Sequence, residues 1–452
     1  MKKYKTMYLL IILMFSLGFN SCDSEEQEIE FDTVPVALDA VNVKPTEFTA
    51  LWKPVFRSSG YELDVSENET FSNFIPGYNS KAVTKFEEII TGLTNNTQYY
   101  YRVRGVLNGL PTENSNTIST VTSLITPEDV TLKSSANFLV GVAVNPTRVA
   151  DPEYMEVYSK EFNSLTGENA MKMRSIFKGL DNNMNNVYDW SKPDAIVDYA
   201  EANNMNVHGH VLVWHESVPD FLENFAGTDA EFETIIENYI TDVLTRYKGK
   251  IDSWDVVNEA IADNTSSFRP SIFRQRMGEN YVEKCFQFAR NADPDVILFY
   301  NDYNMITDDL KRSGALNLVD NLRSKNLIDG MGYQVHININ SPSEAEMQSA
   351  TNELINRELL VHFSELDVRT NVNGGLTEFT EVAAFAQRNK VSQVTRVYNS
   401  IPDNLKYALT IWGLKDDDSW ITPRFGTLDW PLLFDDSFGK KEAYFGFIEG
   451  LQ

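Results

Sequence analysis

The feature that most constrains this chain is a rhythm that starts near residue 138. Short apolar runs alternate with longer amphipathic stretches, eight times in succession. The runs are FLVGVAVN (138–145), FNSLTGEN (162–169), NVHGHVLVWH (206–215), IDSWDVVNEA (251–260), VILFYND (296–302), DGMGYQVHI (329–337), LLVHFSELDV (359–368) and KYALTIWGL (406–414). Between them lie segments of helical periodicity. One is SKPDAIVDYAEANN (191–204), with Ser191 expected as N-cap and Pro193 in the first turn. Others are 229–249 and 379–400. Eight strand–helix repeats over residues 127–452 predict an α/β fold, a (β/α)₈ barrel somewhat larger than is typical. A doubly wound open sheet is the alternative, but no glycine-rich phosphate loop opens a helix.

In such a barrel, the polar residues at the C-terminal strand ends build the site. Here most runs finish on polar groups: Glu168 and Asn169, with Lys172 just beyond; His208, His210, Trp214 and His215; Asn258 and Glu259; Asn301 and Asp302; Gln334 and His336; Glu365 and Asp367; and Trp412, with Trp420 in the loop that follows. Glu259 and Glu365 come from the fourth and seventh runs, on facing parts of the ring. Paired carboxylates across a cleft are what glycoside hydrolysis uses: one gives a proton to the leaving oxygen, the other attacks the anomeric carbon or activates water. A negative neighbour raises the pKa of the donor. Asp367 lies two residues after Glu365, so the two should share a strand face. His336 arrives from the adjacent strand and would hold Glu365 oriented and ionised as the nucleophile. Glu259, next to the Asn258 amide, reads as acid/base, with Asn258 gripping a sugar hydroxyl.

All five histidines fall in this region. HGHVLVWH is strand-like, unlike the helical H-E-x-x-H of zinc hydrolases, so no metal is expected, and no cofactor. His208 and His210 would share a face, with His215 on the other. His362 reads as packing. Cys285 reads as a buried structural thiol.

Residues 33–124 look all-β. GYELDVS and TQYYYRVRGV alternate and are bounded by Gly, Asn, Pro and Ser clusters. Trp52, Tyr61, and Leu93 six residues before Tyr99 resemble the landmarks of a fibronectin type III sandwich, in which the tyrosine closes a corner with its hydroxyl. Such a module serves as a spacer or binds sugar. Before it, Lys2, Lys3 and Lys5 precede the apolar run 7–19, then NSC. This resembles a bacterial lipoprotein signal over 1–21, with Cys22 lipidated, although Phe19, Asn20 and Ser21 are looser than the usual box. Residues 22–32 are an acidic tether, similar to the surface-export signals of some lipoproteins. The expected location is the outer membrane or cell surface of a Gram-negative bacterium; a secreted or periplasmic protein is the alternative. The formal net charge of −26 argues against a nucleic-acid partner.

From about 127 to its end the chain resembles glycoside hydrolase family 10, whose members are mainly endo-β-1,4-xylanases. The matching stretches are FNSLTGENAMKM, GHVLVWHESVP, WDVVNEAI, FYNDYN, GMGYQVHI, SELDVR, LTIWGLKDDDSWI and PLLFDDSFGKKEAYFGFIEGL. The resemblance implies a retaining enzyme acting on xylan or xylo-oligosaccharide, with Glu259 as acid/base and Glu365 as nucleophile; a monomer is expected. It implies that Glu168, Asn169 and Lys172 bind hydroxyls on the non-reducing side. His210, Trp214, Asn258, Gln334 and His336 would line the cleavage subsite, and Trp412 and Trp420 would form its apolar wall. The chain departs from the family's pattern at Met173, Glu216 and Ile421. The rival substrates are β-1,4- and mixed-linkage glucan. The rival of another class is a non-catalytic surface glycan-binding lipoprotein.

Overall fold

A computed structural model describes residues 34–122 and 130–451. The leader (1–21), Cys22 and the tether (22–32) lie outside the described residues. The chain divides into two compact units, Met1–Asp129 and Val130–Gln452.

In the larger unit eight strands form a closed, wholly parallel barrel: β1 (Leu139–Val144), β2 (Ser164–Gly167), β3 (Asn206–Gly209), β4 (Ser253–Asn258), β5 (Ile297–Tyr303), β6 (Gly330–Asn338), β7 (Leu360–Arg369) and β8 (Lys406–Ile411). Each pairs with the next, and β8 pairs with β1 to close the ring. Strands buried on both faces read as continuous apolar runs, which explains the pattern seen in the sequence. The apolar stripes of the surrounding helices complete the core. Helix Asp229–Tyr247 buries Phe232, Ile235, Ile236, Tyr239, Ile240 and Val243 along one face. Its start is fixed by a reciprocal capping box between Thr228 and Glu231.

Three details differ from the sequence expectation. The run 206–215 is not one strand: β3 stops at Gly209, and Val213–Trp214 pairs separately with β4. Between them the Leu212 amide bonds the Asp255 carbonyl at 3.1 Å. In FNSLTGEN only Ser164–Gly167 is strand. Ser191 is the first helical residue rather than the N-cap. Asp189 does the capping work: its Oδ1 accepts from the Ser191 amide at 3.0 Å and the Ser191 hydroxyl at 2.6 Å.

The lower barrel interior is filled by Phe299, Tyr407, His208 and His362, whose imidazoles meet edge-on at 4.7 Å. His362 packs there and bonds Thr410 Oγ1 at 2.8 Å. Cys285 is fully buried.

The smaller unit is two antiparallel sheets. One has three strands, Val36–Val41, Glu47–Lys53 and Glu87–Thr91. The other is built on Gly60–Ser66 and Gln98–Leu107, with Lys81–Val83, Leu110–Pro111 and Ile118–Val121 alongside. Trp52, Tyr61, Leu63, Tyr99 and Tyr101 fill the core between them. The Tyr99 hydroxyl accepts from the Thr94 amide at 2.9 Å.

Candidate active site

Two glutamates stand at the C-terminal mouth of the barrel in an uncommon backbone conformation. Glu259, directly after β4, has φ 56°, and Glu365, within β7, has φ 60°. A non-glycine residue held in the left-handed region costs about 1–3 kcal/mol and persists only where its surroundings over-determine it. Around Glu259 they do. Its amide bonds the Asn301 carbonyl at 2.9 Å, and Arg269 Nε donates to its carbonyl at 3.1 Å. The next two amides, of Ala260 and Ile261, both donate to the Tyr300 hydroxyl at 3.0 and 3.3 Å. That hydroxyl in turn donates to buried Asp302.

Strand alternation predicts Glu365 and Asp367 on one face. They do meet at one group, but by a different route. The register of β7 slips against both neighbours around residues 363–367. At the bulge the adjacent side chains of Ser364 and Glu365 both reach Asn301: Ser364 Oγ donates to its Oδ1 at 2.7 Å, and its Nδ2 donates to Glu365 Oε1 at 2.8 Å. Such bulges re-aim side chains beside functional sites. Gly332 on β6 makes room for this amide, since a Cβ there would lie 2.3 Å from Asn301 Oδ1. His336 bridges the two acids, with Nε2 3.0 Å from Glu365 Oε2 and Nδ1 2.7 Å from Asp367 Oδ2. The Trp420 indole donates to the same Asp367 oxygen at 2.9 Å.

Electrostatics separate the two glutamates. Burial, then the charge of Asp302, and then that of Glu365 push Glu259 up to about 7, against donation from Trp214 and Gln334. The sequence reading named only the neighbouring carboxylate as the cause; burial is the larger effect. Burial also works to raise Glu365, but the His336 hydrogen bond and the charges of His210, His336 and Lys172 outweigh it and hold the carboxyl below its usual value. Burial opposes charge on His336, yet Asp367 and Glu365 raise it to about 10, so it is an imidazolium at neutral pH donating to both acids.

Glu259 is gripped through its side chain. Trp214 Nε1 donates to Oε2 at 2.9 Å, while Gln334 Nε2 and Asn258 Nδ2 each donate to Oε1 at 3.2 Å. Gln334 Nε2 also reaches Asn258 Oδ1 at 3.0 Å. The Asn258 side chain is therefore tied to two neighbours.

A cleft of about 680 Å³ brings together Glu168, Asn169, Lys172, His210, Trp214, Asn258, Glu259, Gln334, His336, Glu365, Trp412 and Trp420. Of the residues singled out in the sequence for catalysis or sugar binding, Asp367 alone does not line it and acts behind His336. Lys172 Nζ bonds Asn169 Oδ1 at 3.1 Å and lies 4.7 Å from the centre of the Trp214 ring. Trp412 meets His210 edge-on at 5.4 Å. His210 Nδ1 is fixed 2.8 Å from Asp255 Oδ2, leaving Nε2 for the cleft. His215 does not join His208 and His210; burial, with Arg269 and Lys311 nearby, lowers it to about 4 and keeps it neutral. Of the three departures, Glu216 lines the cleft, whereas Met173 and Ile421 are buried in the core.

The sequence reading gave no part to Asp255 or Tyr300, and none beyond a strand-end position to Asn301 and Asp302. The signal lay in WDVV and FYNDYN, where polar residues sit inside otherwise buried strands. Chemically, the site offers a carboxyl that is protonated near neutrality and a second that is ionised, both facing one cleft walled by indoles. That pairing suits proton donation to a leaving oxygen together with attack on an acetal carbon.

The sequence profile of glycosyl hydrolase family 10 matches residues 130–450. An endo-beta-1,4-xylanase of Cellvibrio japonicus is 36% identical over 346 residues, which is 70% of this chain and 56% of that protein. An endo-1,4-beta-xylanase A of Thermotoga maritima is 36% identical over 319 residues, 69% of this chain and 30% of that protein. The chain thus spans about half, or less, of the length of these relatives. Among solved structures, a xylanase of Paenibacillus barcinonensis complexed with a conduramine derivative superposes with TM-score 0.66 at 30% identity, covering 72% of this chain and all of that one. A mutant xylanase of Cellvibrio japonicus in complex with xylopentaose superposes with TM-score 0.68 at 28% identity, covering 92% of this chain and 90% of that one.

Proposed function

The chain belongs to glycosyl hydrolase family 10, and on that premise we propose that it is an endo-acting, retaining xylanase that cleaves internal β-1,4-xylosidic bonds. Glu259 protonates the leaving oxygen while Glu365 attacks the anomeric carbon, forming a glycosyl-enzyme. Glu259 then takes a proton from the incoming water. The observation that carries this reading is the opposed tuning of two carboxyls in one cleft, Glu259 raised to about 7 and Glu365 lowered. The xylanase relatives and the xylopentaose-bound neighbour support the choice of substrate.

In this reading the His336 imidazolium and the Asn301 amide keep Glu365 ionised and aimed, with Asp367 and Trp420 fixing His336. Glu168, Asn169 and Lys172 take sugar hydroxyls on the non-reducing side. His210, Asn258 and Gln334 hold the sugar at the point of cleavage, and Trp214, Trp412 and Trp420 pack against its faces. Xylose lacks the hydroxymethyl arm of glucose, so close indole walls favour it. Reducing-sugar release from xylan and from carboxymethyl cellulose tests the assignment. Release from xylan at a much higher rate supports it; equal or reversed rates point to a glucanase, and no release from either points to a glycan-binding protein.

We further propose that the smaller unit is a fibronectin type III-like spacer. Its two antiparallel sheets and the bond to the Tyr99 hydroxyl support this. Residues 1–21 would be a lipoprotein signal and Cys22 the lipidated residue, tethering a monomeric enzyme to the outer membrane at the cell surface. Cys22→Ala should move the protein from the membrane to the soluble fraction.

A further inference from the structure

We infer that Arg424 is a binding point for an anionic substituent carried by the polysaccharide, a uronic-acid branch seated beside the cleft; this rests on the xylanase reading above. Every other arginine of the chain has an ion-pair, hydrogen-bond or ring partner for its guanidinium. Arg424 has none among the described residues, although it lines the cleft and its side chain is exposed.

The backbone that carries it is nevertheless held. Helix Ile421–Phe425 starts directly after Trp420, and the Arg424 amide bonds the Trp420 carbonyl at 3.1 Å. The Trp420 indole is fixed on Asp367. On the other side, the Arg369 guanidinium carbon sits 3.9 Å from the centre of the Phe425 ring. A free guanidinium is thus presented from a clamped turn, one helical step from the indole that supports His336.

The other cations nearby are engaged. Arg369 is taken by Phe425 and by Asp429 at 3.4 Å. Lys172 is taken by Asn169 and the Trp214 face, with the charge of Glu168 beside it. A chain of net charge −26 repels an anionic branch in general. An unpaired guanidinium reverses that locally, and its planar fork matches a carboxylate. A neutral xylose unit has no carboxylate to offer that fork.

The test compares kcat/KM on three xylo-oligosaccharides of one length: unbranched, carrying one glucuronic-acid branch, and carrying the methyl ester of that branch. In Arg424→Ala the acid-to-unbranched ratio should fall roughly threefold to tenfold, a range set by a part-exposed charge pair. The ester-to-unbranched ratio should stay near that of the native protein. Arg424→Lys should recover part of the acid ratio, and added salt should shrink the native preference. Equal losses on all three substrates would overturn the proposal, as would an acid ratio indifferent to the substitution. Failure of the native protein to cleave any of the three chains would be a separate result, overturning both the xylanase reading and this inference.

Discussion

The side-chain amide of Asn301 donates to Glu365 Oε1 at 2.8 Å, while the carbonyl of the same residue accepts from the Glu259 amide at 2.9 Å. One residue of β5 thus registers both glutamates, one through its side chain and one through its backbone. Asn301→Ala keeps the backbone bond and removes the side-chain bonds to Glu365 and Ser364. It should lower kcat/KM about tenfold to a hundredfold, the usual worth of a hydrogen bond to a charged group. Steady-state kinetics on xylo-oligosaccharides check this. A loss confined to KM would show that Asn301 serves binding rather than the orientation of Glu365.

The acid and the nucleophile should set the two limbs of the pH profile. Glu259 must be protonated to act, so kcat/KM should decline as pH rises through about 7. Glu365 must be ionised, so the acid limb should lie below the ordinary glutamate value. Two substitutions should move the alkaline limb in opposite directions. Asp302→Asn removes a negative neighbour and should lower it. Trp214→Phe removes a donor that favours the ionised form and should raise it. Profiles that move together, or not at all, would mean that another group controls this limb.

Leaving-group dependence separates the glutamates. Glu365→Ala should abolish turnover on every substrate. Glu259→Ala should damage substrates with poor leaving groups far more than activated aryl xylosides, which need little proton donation. Comparing kcat/KM for aryl xylosides of graded leaving-group acidity with kcat/KM for xylotetraose gives the contrast directly. Equal losses on all of them would exclude a proton-donor role for Glu259.

Tyr300 holds the turn after Glu259 through two buried amides and donates to Asp302. Tyr300→Phe leaves the two amides and the Asp302 carboxylate each short of a partner, at about 1–3 kcal/mol for each buried group left unpaired. Urea denaturation should show lower stability, and activity should fall as well because the turn sets the position of Glu259. Unchanged stability would mean that water replaces the hydroxyl.

The barrel was legible because its strands are buried on both faces, which leaves unbroken apolar runs in the sequence. What stayed hidden was local. The break at 210–212 within HGHVLVWH cannot be read from hydropathy, because Val211 and Leu212 are as apolar as the strands on either side. Ser191 looked like a cap, but Asp189, two residues earlier, reaches the free amide. Alternation placed Glu365 and Asp367 on one face, yet the bulge brings Ser364 inward beside Glu365 and sets Glu365 at φ 60°. Nothing in SELDVR signals a positive φ, and the partners of Glu365, Asn301 on β5 and His336 on β6, lie on other strands. Asp255 and Tyr300 were passed over because each lies in a run that reads as core. Met173 and Ile421 depart from the family pattern, but both are buried and neither lines the cleft.

The measurement closest to the central claim is the anomeric configuration of the first product, followed by proton NMR during the opening minutes of xylo-oligosaccharide hydrolysis. If Glu365 attacks and Glu259 assists on the same side of the bond, as in retaining enzymes whose carboxyls stand about 5–5.5 Å apart, the β anomer should form first and then mutarotate. An initial α anomer would mean that water attacks directly, and would contradict the roles assigned to both glutamates.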